Sequence, residues 1–69
     1  MKLKLTALKD FEAINIWQES IFINKGEKYD AELLETNDGL KMIAIVLGGV
    51  RTAYEVRFVK EFFDIKEVK

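Results

Sequence analysis

Leu40-Lys41-Met42-Ile43-Ala44-Ile45-Val46-Leu47 is apolar at every position except Lys41. Eight residues is strand length, and apolarity without alternation marks a central strand covered on both faces. Left exposed, Ile43 to Leu47 would be an aggregation hazard, so burial is the expectation. Turn signals close the stretch at both ends. Thr36-Asn37-Asp38-Gly39 precedes it with the Asp-Gly pair that favours tight hairpins, and Gly48-Gly49 follows it.

Working outward, Lys28 to Glu35 reads as the strand before that hairpin, with Tyr29, Ala31 and Leu33 on one face and Lys28, Asp30 and Glu32 on the other. Asn24-Lys25-Gly26-Glu27 is a turn ahead of it. At the start of the chain Leu3, Leu5 and Ala7 alternate with Lys2, Lys4 and Thr6, the period of a half-buried strand. Residues 11 to 20 are less regular. Phe11, Ile14, Trp17 and Ile21 recur at intervals of three or four, which suits a short helix, but Ile14, Asn15 and Ile16 are mediocre helix formers, so a long loop or hairpin is preferred. Beyond Gly49, Thr52 to Phe58 alternates as a strand. The stretch Val59 to Val68 fits either a helical stripe through Val59, Phe62, Phe63 and Lys66 or a short edge strand. The sum is one all-β domain over residues 1–69, of about five strands with a long first loop and shorter hairpins after it.

Composition bounds the rest. The chain has 69 residues, 49% of them hydrophobic and 33% charged, which argues for a folded domain. A domain this small buries only about 60% of the surface its unfolded chain exposes. There is no cysteine or histidine to add a disulfide or a zinc site. Eleven basic against twelve acidic side chains leave a net charge of -1, whereas nucleic-acid binders normally carry a basic excess. Met1-Lys2-Leu3-Lys4-Leu5 is too interrupted for the apolar region of a signal peptide. The longest apolar run, Met42 to Val50, is far short of the roughly 20 residues of a membrane helix. The expected location is the cytoplasm, with no membrane partner.

Catalytic chemistry is poorly supplied. The usual general base and the thiolate nucleophile are both missing, and Ser20, the sole serine, has no imidazole to activate it. Asp10 and Glu12 share a face if extended, but solvated charge explains them. Gly48-Gly49-Val50-Arg51 matches no phosphate-binding fingerprint. No catalytic, cofactor or metal residue is assigned, and the chain is expected not to be an enzyme.

Four segments together resemble SH3 domains. Ala7-Leu8-Lys9-Asp10-Phe11-Glu12-Ala13 is similar to the family's Ala-Leu-Tyr-Asp-Tyr opening. Phe22-Ile23-Asn24-Lys25-Gly26-Glu27 looks like its diverging turn. Lys41-Met42-Ile43-Ala44 falls where the family has Trp-Trp-x-Ala, and Phe58-Val59-Lys60-Glu61-Phe62-Phe63 where it has Pro-x-x-Tyr-Val. The resemblance spans Ala7 to about Val68 and implies an SH3-like barrel. It also implies where a peptide groove would lie: those positions hold Lys9, Phe11, Lys41, Val59 and Phe62. Only the two phenylalanines keep an aromatic surface, so ordinary PxxP recognition is not expected.

Trp17, the single tryptophan, has two readings: a core residue closing one end of the barrel, or a protruding anchor of the kind enriched at binding hot spots. Tyr29 and Tyr54 read as core or rim residues. The sequence therefore leads to a protein-binding module acting through Lys9, Phe11, Trp17, Lys41 and Phe62. By association it suggests a small bacterial or phage accessory or inhibitory factor. Two alternatives stand beside it. Lys9, Lys41, Arg51, Arg57 and Lys60, interleaved with Phe11 and Phe62, would suit a single-stranded nucleic acid. An open first or last strand would suit a self-associating subunit.

Overall fold

A computed structural model describes residues 1–68. Seven strands and one helix follow in the order β1 (Lys2–Ala7), β2 (Phe11–Ile14), β3 (Ser20–Ile23), β4 (Lys28–Glu35), β5 (Lys41–Leu47), β6 (Val50–Glu55), α1 (Val56–Phe62) and β7 (Phe63–Glu67). Five strands form one sheet, ordered β6-β5-β4-β1-β7, and β2 and β3 form a separate hairpin. Every pairing is antiparallel. The domain is mostly β, as its sequence predicts. The sheet has two ends, β6 and β7, and no ladder joins them among the described residues.

Alternation decides which side of each strand faces inward. Leu3, Leu5 and Ala7 of β1 are buried beside Ile43, Ile45 and Leu47 of β5, and Ile23, Ala13, Val59 and Phe63 complete the core. Each fully buried leucine or isoleucine contributes about 1.5–3 kcal/mol. β5 departs from its sequence reading on one point. Its inner face is buried, but of its outer residues only Ala44 is covered, Met42 is half-buried and Val46 is 57% exposed. A sheet with a second layer on one side only leaves the other to solvent.

The turns fall where glycine allows them. The β5–β6 hairpin turns on Gly48 and Gly49, both with positive φ (64° and 83°), the two-residue loop whose twist matches its strands. A Cβ at Gly48 would lie 2.8 Å from Ile21 Cδ1 and 3.1 Å from Asn15 Nδ2, because the tip of the β2–β3 hairpin presses against this turn.

The C-terminal quarter corrects the sequence reading. The strand expected over Thr52 to Phe58 ends at Glu55, and α1 begins at Val56. Val56, Val59 and Phe62 repeat every three residues, so a helix puts Val59 in the core. Glu55 makes no side-chain cap, and tertiary packing against β5, β6 and β7 holds this short helix. The chain re-extends at Phe63. Of the two readings of Val59 to Val68, the helical stripe stops at Phe62 without reaching Phe63 or Lys66, and Phe63–Glu67 is the short edge strand.

Candidate partner-binding surface

The β2–β3 hairpin occupies the region whose periodicity left helix and hairpin open. Phe11, Ala13, Ile21 and Ile23 turn toward the core, while Glu12, Ile14, Ser20 and Phe22 turn out. Its tip, residues 15–19, is organised by Asn15, which is only 3% exposed. The Asn15 amide donates to the Leu47 carbonyl and to the Glu19 carboxylate, both at 3.0 Å. Its side-chain oxygen accepts from the backbone N–H groups of Trp17 and Glu19, also at 3.0 Å. The Asn15 carbonyl takes the N–H of Gln18, whose φ is +61°. A further bond, from Ile16 N–H to the Thr52 hydroxyl at 3.2 Å, ties the tip to β6.

This scaffold holds Trp17 outward. Trp17 is 64% exposed, and Ile14, Ile16 and Phe22 of the same hairpin are exposed as well. Of the two readings of Trp17, its exposure excludes the core one. An exposed aromatic on a fixed backbone loses little freedom when it binds.

Next to the hairpin runs a row of rings. Tyr54 stacks on Phe58 with centroids 5.6 Å apart, Phe58 meets Phe62 at 5.0 Å, and Phe62 meets Phe11 at 4.5 Å. Phe11 continues edge-on to the buried Phe63 at 5.4 Å. Lys9 Nζ sits 4.7 Å above the Phe62 ring, a cation–π contact. The row joins the hairpin through the Tyr54 hydroxyl, which donates to the Ile14 carbonyl at 2.6 Å. Burial pushes the Tyr54 phenol above its ordinary range, keeping it a donor.

Lys9, Phe11 and Phe62 therefore come together. Lys41 does not join them: it begins β5 beside Glu35 and lines a shallow depression with Leu40, Glu55, Val56 and Arg57. Val59, mapped to the groove by resemblance, is buried in the core instead, because the helix turns it inward. Two of the five basic residues are held by acidic neighbours. Arg51 pairs with Glu32 on the outer sheet face at 2.5 Å, and Arg57 pairs with Glu55 at 2.9 Å. Phe58, Asn15 and Thr52 are the members sequence reasoning missed. Phe58 was visible as an aromatic four residues before Phe62, a spacing that shares one helix face. Nothing local marked Asn15.

Among the described residues no set of acidic side chains is grouped to hold a metal ion, and no helix is long and apolar enough to cross a membrane. Comparison with family models, curated proteins and solved structures finds no match.

Proposed function

We propose that this chain is a non-enzymatic protein-interaction module on an SH3-like scaffold, which engages a protein partner through Trp17 and the Tyr54–Phe58–Phe62–Phe11 row. The exposure of Trp17 on a tip locked by Asn15 carries the reading. Tryptophan is enriched among the few residues that dominate binding energy, and it acts best where its backbone is already ordered. The strand order, the long hairpin between β1 and β4 and the helical turn before the last strand support the scaffold. Lys41 in place of a tryptophan, and set apart from the row, speaks against PxxP peptides as the ligand. The occupant is instead a folded surface with a pocket for an indole and an acidic group for Lys9. We place it as a small cytoplasmic accessory or inhibitory factor, of the kind bacterial and phage genomes encode.

The test is a paired capture. Native protein and Trp17→Ala serve as bait in the same lysate, with folding of both verified by circular dichroism. A partner retained by the native chain and lost from the variant supports the module. Identical sets of captured proteins would remove it.

Binding of a single-stranded nucleic acid is a second reading, resting on the Lys9–Phe62 contact beside exposed aromatics. It predicts affinity that falls steeply with salt. Arg51 and Arg57 are already paired with carboxylates, which weakens it. Fluorescence anisotropy with short oligomers at low salt decides the point.

A further inference from the structure

We propose that the chain pairs with a second copy of itself through the free edge of β7, joining two five-stranded sheets edge to edge about a two-fold axis at Ile65. β1, the other strand expected to be open, lies inside the sheet between β4 and β7, so it offers no edge. β7 does. Leu8 N–H donates to Phe62 carbonyl and Val68 N–H to Lys2 carbonyl, which fixes the alternation of the β1–β7 ladder. Asp64 and Lys66 turn their backbone groups toward β1, and Phe63, Ile65 and Glu67 turn theirs away from the sheet. The Phe63 N–H is already used by the Val59 carbonyl. The edge therefore presents the N–H groups of Ile65 and Glu67 and the carbonyls of Phe63, Ile65 and Glu67.

Antiparallel pairing of this edge with itself matches donor to acceptor. Ile65 bonds to Ile65 of the second copy in both directions, and each Glu67 N–H reaches the Phe63 carbonyl opposite. Asp64 then faces Lys66 of the second copy, twice by symmetry, in the pairing positions where Cα atoms approach to about 4.5 Å. Within one chain neither charge has a partner among the described ion pairs, and Lys66 lies directly across from Lys4, a like charge. Ile65 remains half-buried on the core side and would be covered by its own copy. The β6 edge has a similar pattern, with Arg51 placed to meet Glu55. Those two charges are already taken by Glu32 and Arg57.

Sedimentation velocity over a concentration series provides the test. The native chain is expected to pass from 8.0 kDa toward twice that mass. Asp64→Lys and Lys66→Asp each place like charges opposite one another and should weaken association by about tenfold or more. An equimolar mixture of the two variants restores attraction at both positions and should associate like the native chain, as should the double variant D64K/K66D. Recovery in the mixture separates lost pairing from misfolding. Glu67→Pro, which removes an edge donor that the monomer does not use, should weaken association while keeping the native circular dichroism. A chain that stays monomeric up to about millimolar concentration would overturn the proposal. So would association that ignores both charge reversals.

Discussion

Asn15 shows how one buried side chain can position the exposed part of a site. Three of its four side-chain hydrogen bonds order the hairpin tip, and the fourth joins that tip to the end of β5. Asn15→Ala removes all four and leaves the Trp17 and Glu19 N–H groups without their side-chain partner. A buried orphaned group costs about 1–3 kcal/mol, so urea unfolding should show a loss of about 2 kcal/mol or more. Tyr54 gives a pH signature at the same scale. Its phenol is pushed above the ordinary 10.0 by burial. The folded chain thus holds the proton more tightly than the unfolded one. The stability this gives is fully present below pH about 10 and is lost as pH rises through the folded value. Tyr54→Phe should flatten part of the fall in urea midpoint at alkaline pH. Tyr29, raised by burial and by Glu27, contributes in the same direction.

Among the elements, the β5–β6 turn is where sheet and hairpin meet. Gly48→Ala suffers twice, from a positive φ costing about 1–2 kcal/mol and from a Cβ pressed on Ile21. Gly26→Ala has a similar φ of +88° with open space around it. Thermal melts should therefore rank Gly48→Ala below Gly26→Ala. The elements were also unequally legible. β1 and β4 follow from their alternation, and β4 runs from Lys28 to Glu35 as read. The onset of α1 was hidden because Val56 and Phe58 satisfy a period of two as well as the start of a helical turn. Packing of Val59 into the core settles it, and that force is not local. Asn15 was hidden for the same reason: its Leu47 partner is 32 positions away. Lys41 was misplaced because resemblance located it by order along the chain, and β5 carries that position away from the ring row.

The whole molecule rests on a thin core. Leu3, Leu5, Ile23, Ile43, Ile45 and Leu47 are buried, and no disulfide reinforces them. Leu5 is fully buried, so Leu5→Ala should cost about 2–5 kcal/mol. That is a large part of the stability of about 5–15 kcal/mol usual for native domains. Circular dichroism should show this variant melting well below the native chain. What composition could bound, a folded chain with few catalytic side chains, is therefore separate from what only the fold displays, an aromatic row and an exposed Trp17.

Trp17 is the sole tryptophan, so emission excited selectively from tryptophan reports on the tip alone. Acrylamide quenching combined with time-resolved anisotropy tests whether the indole is both open to solvent and held still. The account predicts red-shifted emission, quenching close to that of the unfolded chain, and an anisotropy decay dominated by tumbling of the whole domain. Blue-shifted emission sheltered from acrylamide, or a fast local decay carrying most of the anisotropy, would contradict it.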